Sequence, residues 1–145
     1  MIRAFVFILA MLPGLASAAS IDEVDSQIGD LQGNAALFHV AFDAVQKAVA
    51  ADDAEALADW LLYPMQAVGD DGPVSVDDRA EFIAKYPHLF TAAVKAAVTA
   101  QSYEDLFVND QGVMFGDGQL WMGAFCKTVD CSEADWRILT VQQTN

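Results

Sequence analysis

The residues best equipped for chemistry are few and scattered: His39, Asp43, Tyr63, Arg79, Tyr86, His88 and Tyr103. His39 and Asp43 are one helical turn apart, so a helix brings them to one face. A carboxylate such as Asp43, held in an apolar pocket, has its charged form penalised by desolvation and can act as a general base. A tyrosine beside it supplies a hydrogen-bond donor. The same spacing also describes an exposed polar pair on a solvated helix. Arg79 has the fork that suits a carboxylate ligand; it equally suits a neighbouring Asp or Glu at a helix start. His88, just after Pro87, is either a pH-sensitive contact or an ordinary partly buried histidine. Trp60, Trp121 and Trp136 fit an apolar binding face or the core; Trp121 is the most open of the three, alternating with Gly123.

Cys126 and Cys131, spaced C-x4-C, predict a short-loop disulfide in an oxidising compartment. A zinc pair would need two more ligands, and His39 and His88 lie far upstream on separate helices. A thioredoxin-like pair would need C-x2-C at a helix start. There is no phosphate-cradling glycine loop, no Ser-His-Asp order, no His-Glu-x-x-His and no basic-aromatic patch, and no cofactor is expected.

Export is written at the N-terminus. Arg3 precedes the apolar run Ala4 to Leu12, Pro13-Gly14 breaks it, and Ala16-Ser17-Ala18 supplies small residues for cleavage. Residues 1–19 are thus expected to be a secretory signal peptide, the run being too short for a membrane span. A periplasmic or extracellular location follows. The formal charge is −14, from 7 Lys+Arg against 21 Asp+Glu. It argues against nucleic-acid and anionic-lipid partners and favours either plain solubility or encounter with a basic partner.

The elements that must position these residues follow from periodicity. Residues 20–33 read as a short helix or loose surface arm, and 34–145 as a single domain. Asn34 caps a helix carrying Leu37, Phe38, Ala41, Phe42, Val45, Ala48 and Val49. Asp52 with Glu55 predicts a second helix start, with Leu57, Trp60 and Leu61 buried, ending at Pro64. Met65–Val68 and Pro73–Val76 form a hairpin around Gly69-Asp70-Asp71-Gly72. Asp78 with Glu81 opens a further helix, interrupted at Pro87, whose apolar stripe through Val98 is expected to lie on the sheet. Three antiparallel strands follow: Tyr103–Val108, Val113–Phe125 with a bulge at Gly116-Asp117-Gly118, and Trp136–Gln142. In the last strand Trp136, Ile138 and Thr140 share a face. The stretch Leu106 to Phe125 is the expected organiser, a kinked sheet that can wrap helices, a ligand or both.

The order of elements, with Leu62-Tyr63-Pro64-Met65, Asp78-Arg79-Ala80-Glu81-Phe82 with Tyr86, and Leu106-Phe107-Val108-Asn109 through Gly112, Gly116, Gly118 and Trp121, resembles the NTF2-like (cystatin-like, SnoaL-like) superfamily and its small secreted bacterial members. The resemblance implies an α+β cone, N-terminal helices packed on a curved antiparallel sheet. It also implies a pocket among His39, Asp43, Tyr63, Arg79, Tyr86, Tyr103 and Trp121. The superfamily holds binding modules as well as ketosteroid-isomerase-like and polyketide-cyclase-like enzymes, whose acidic base and Tyr or Asp donor have no position-by-position match here. The implied function is non-catalytic binding of a small apolar ligand or a protein partner, the alternative an isomerase or cyclase. The apolar strands permit a homodimer through the sheet face. Separately, Cys126–Cys131 resembles the exposed disulfide loop of periplasmic lysozyme inhibitors of the vertebrate-lysozyme type, with Thr128-Val129 where those carry Pro-His. That resemblance implies a third alternative, inhibition of a basic cell-wall hydrolase.

Overall fold

The computed structural model describes residues 19–69 and 71–143; the expected signal peptide lies outside the described residues, apart from Ala19. Its centre is helix α2 (Ala35–Ala50), capped by the Asn34 side chain, which accepts from the Leu37 amide at 3.1 Å. Phe38, Ala41, Phe42, Val45, Ala48 and Val49 recur at helical spacing and are all buried. Helix α1 (Ile21–Leu31) precedes it, held by a reciprocal Ser20–Glu23 capping box and burying Val24 and Ile28. The segment is therefore a packed helix and not a loose arm.

Helix α3 (Ala54–Ala58) starts one residue later than the Asp52–Glu55 spacing suggested. Asp53 caps it by accepting from the Ala56 amide at 3.0 Å, while Asp52 takes the left-handed conformation that separates the two helices, at φ 57°. Strands β1 (Met65–Gly69) and β2 (Gly72–Val76) form the expected antiparallel hairpin. Helix α4 (Arg79–Leu89) is capped by Asp78; it tolerates Pro87 near its end, stops, and restarts as α5 (Ala92–Ala100) under a Thr91 cap.

The main sheet has four strands, not three, in the order β3 (Phe107–Asn109), β4 (Gly112–Phe115), β5 (Leu120–Cys126), β6 (Ala134–Val141), all antiparallel. Two expectations fail here for identifiable reasons. Tyr103–Asp105 forms a 3-10 turn, with the Ser102 hydroxyl donating to Asp105 at 2.6 Å, so the first strand begins only at Phe107. Gly116-Asp117-Gly118 is a complete reversal and not a bulge: Gly116 and Gly118 adopt φ 61° and 106°, and the Gln119 side chain accepts from the Asp117 amide. The sheet's irregularity is instead in β6. Trp121 pairs with Thr140 and Met122 with Ile138, leaving Leu139 as an extra residue. Val141 consequently turns inward beside Trp136 and Ile138, and Thr140 faces out.

The helix that lies across this sheet is α2, and not the stripe of α4 and α5. Phe38 meets Trp136 of β6 with ring centroids 4.5 Å apart, and Phe42 stacks on Phe115 of β4 at 5.3 Å. α4 packs on the β1–β2 hairpin and α3, and α5 packs on α2. The free side of β6 is covered by the chain after α3: Ile138 donates to the Trp60 carbonyl at 2.7 Å and Leu62 donates to the Ile138 carbonyl at 3.0 Å. An edge that would otherwise recruit other strands is thereby satisfied.

Cys126 and Cys131 are at disulfide distance, with Cα atoms 4.8 Å apart, in the β5–β6 connection. The pair rests on the corner between α1 and α2. Gly33 there has φ 124°, and a Cβ built on it would lie 2.5 Å from the Cys131 Sγ. No other residue type fits that corner without strain or displacement.

Candidate functional site

His39 does not meet Asp43, which is exposed on α2. His39 turns to α1 instead: its Nε2 is 3.0 and 3.2 Å from the two Asp25 carboxylate oxygens, and the Tyr103 hydroxyl donates to Asp25 Oδ1 at 2.7 Å. The imidazole also stacks on the Tyr103 ring at 4.1 Å. Burial, then the hydrogen bond to Asp25, pushes the Tyr103 phenol well above its ordinary value. The structure thus unites two expected site residues around a third, Asp25, that sequence reasoning missed. Asp25 sits on an acidic helix face, 14 residues from His39 and 78 from Tyr103, with no spacing signal to single it out. The cluster locks α1 to α2 and to the 3-10 turn.

The other expected residues are separate from it. Tyr63 donates to the Ala58 carbonyl at 3.0 Å, closing the end of α3. Arg79 is committed to two acids: it donates to the Glu55 carboxylate, the Glu55 carbonyl at 3.0 Å and Asp59 at 3.2 Å, and these acids raise its pKa further. Arg79 is thus ion-paired, but with acids of α3 and its C-cap, 20 and 24 residues away, and not with a neighbouring acid at its own helix start. The Tyr86 hydroxyl is buried without a hydrogen-bond partner among the described residues, its phenol pushed up by burial and by Asp52 nearby. Lys95 stands 5.3 Å from the Tyr86 ring centroid and bonds Asp52 at 2.6 Å. His88 is exposed, and its carbonyl accepts from Gln143 at 2.6 Å. Trp121 is on the outer face of the sheet, edge-on to Phe107 at 6.3 Å, where Phe107 and Phe125 are exposed.

No charged side chain is buried among the described residues, and none of their His, Cys, Asp and Glu side chains cluster as a metal would require. The interior beneath α2 is filled by aromatic rings, Phe38 against Phe42, Tyr103 and Trp136.

What the structure does open is a groove between α2, α3 and β6, about 570 Å³ in volume. Leu37 and Val40 form one wall, Ala56, Asp59 and Trp60 the second, and Ala134 to Arg137 the third. Val40 is 62% exposed although it belongs to a strongly apolar helix. Trp60, expected in the core, is only half-buried because α3 ends at Ala58 and the chain turns to pair with β6. A ladder of ion pairs runs along the rim. Lys127 holds Asp135 at 2.8 Å and keeps its carboxyl below the usual range, Arg137 reaches Asp135 at 3.5 Å and donates to the Asp59 carbonyl at 2.7 Å, and Asp59 in turn binds Arg79. Sequence reasoning missed this site because its lining comes from three segments, and Val40 reads there as one more helix position.

No helix among the described residues is long and apolar enough to cross a membrane. No family model matches the chain, and neither a curated protein nor a solved structure does.

Proposed function

We propose that this protein is an exported, non-catalytic binding module, an α+β domain of the NTF2-like kind, that holds a small apolar molecule. The groove between α2, α3 and β6 carries this reading. Its volume, about 570 Å³, falls within the roughly 300–1,000 Å³ of small-molecule sites. Its lining joins apolar side chains to a few charged ones, the usual composition of such sites. The N-terminal run Ala4 to Leu12 and the small residues before Ala19 support export, to the periplasm or the cell exterior. A long helix packed across an antiparallel sheet that carries a register shift between its last two strands supports the NTF2-like assignment.

The isomerase or cyclase alternative asks for a carboxylate inside an apolar cavity. Asp25 comes nearest, beside Tyr103, but its side chain is 34% exposed and it lies midway along α1, outside the groove lining. The groove itself holds no nucleophile paired with a base.

The test is titration with N-phenyl-1-naphthylamine, a neutral apolar dye. Saturable binding of one dye per chain is expected, abolished by Val40→Asp, whose exposed position lets the variant fold. Absence of saturable binding, or binding indifferent to Val40→Asp, would refute the groove as the site.

A further inference from the structure

The two arginines beside the groove are used very differently. Arg79 spends its fork on Glu55 and Asp59 through three hydrogen bonds. Arg137, which lines the groove, makes one hydrogen bond among the described residues, to the Asp59 carbonyl, plus a long 3.5 Å ion pair with Asp135. A guanidinium has five N–H donors in a fixed plane, so most of Arg137's are unspent. Its side chain is 32% exposed, open to a ligand yet partly shielded from water, where a charge-assisted bond is stronger than on a free surface. The acids beside it are already matched to other cations, Asp59 to Arg79 and Asp135 to Lys127. Three of the chain's 7 basic residues, Arg79, Lys127 and Arg137, therefore meet Glu55, Asp59 and Asp135 at this one rim.

We propose that the groove's ligand is an amphiphilic monocarboxylate, its apolar body along Leu37, Val40 and Trp60 and its carboxylate on the fork of Arg137. This rests on the groove reading above and adds the headgroup chemistry. The geometry favours a carboxylate over a neutral polar head because a planar two-oxygen acceptor matches the guanidinium edge, and because Arg137, the one cation of the lining, keeps donors that Asp59 and Asp135 do not take up among the described residues.

The experiment compares decanoate with decanol, the same chain with and without the carboxylate, by quenching of tryptophan fluorescence in the wild-type protein and in Arg137→Gln. Expected is decanoate binding about tenfold tighter than decanol, with the gap closing in Arg137→Gln. Equal binding of both ligands to the wild type overturns the carboxylate anchor and leaves the groove standing. A gap that survives in Arg137→Gln overturns the role of Arg137. Binding of neither ligand overturns the groove reading together with the anchor. Far-UV circular dichroism checks the fold; should Arg137→Gln not fold, Arg137→Lys, which keeps the charge and loses the fork, must narrow the gap for the proposal to hold.

Discussion

Replacing Gly33 with alanine tests how the corner between α1 and α2 is built. Gly33 has φ 124°, and its absent Cβ would sit 2.5 Å from the Cys131 Sγ. The backbone strain alone costs of order 1–3 kcal/mol. Displacing a sulfur held in a closed loop adds overpacking of about 1–3 kcal/mol. Breaking the Cys126–Cys131 link, whose ends are 5 residues apart in sequence, costs about 2 kcal/mol by loop entropy. The two perturbations cannot add, because removing the sulfurs also removes what the new methyl collides with. In urea unfolding followed by tryptophan fluorescence, the triple variant Gly33→Ala, Cys126→Ala, Cys131→Ala should lose about 1–3 kcal/mol less than the sum of its parts. Additivity within about 0.5 kcal/mol would show that the cysteine pair does not rest on this corner, and the described packing of the β5–β6 connection against α1 would be wrong.

Phe38→Ala should cost about 3–5 kcal/mol, since its fully buried ring contacts Phe42, Tyr103 and Trp136; a loss near 1 kcal/mol in chemical denaturation would deny α2 its place across the sheet. Alkaline stability should depend on Tyr86 and Tyr103. Both phenols are raised in the folded state, chiefly by burial, so the stability they contribute is complete below the unfolded value of about 10 and is lost as pH climbs beyond it. A Tyr86→Phe, Tyr103→Phe variant should show a flatter decline above that pH than the wild type, and an unchanged slope in pH-dependent melting would refute the assignment.

Local chemistry was legible in the sequence and assembly was not. Asn34, Asp78 and the hairpin around Gly69–Gly72 are read correctly because a cap or a tight turn is decided within a few residues. The buried stripe of α2 likewise follows from spacing alone. Gly116-Asp117-Gly118 is ambiguous at that range: two glycines serve a bulge as well as a reversal, and the choice depends on whether Phe115 and Leu120 pair with each other, as they do. Leu139 carries no local mark of being an extra residue, because the bulge is a property of its register with β5. The Asp25–His39–Tyr103 cluster and the groove draw on distant segments, so the residue types were visible and their meeting was not. An ion pair for Arg79 was expected from the abundance of acids, but its partners, Glu55 and Asp59, come from a separate helix and its C-cap and not from its sequence neighbours.

The groove at Leu37, Val40, Trp60 and Arg137 is proposed as the place where this protein holds its ligand. Backbone and indole chemical shifts of isotope-labelled protein, followed during titration with decanoate, locate the bound ligand residue by residue. Saturating shifts concentrated on residues 37–40, 56–60 and 134–137 are expected, with Trp121 on the outer face unmoved. Shifts centred on Phe107, Trp121 and Phe125, or on the Asp25–His39–Tyr103 cluster, would rule the groove out as the site.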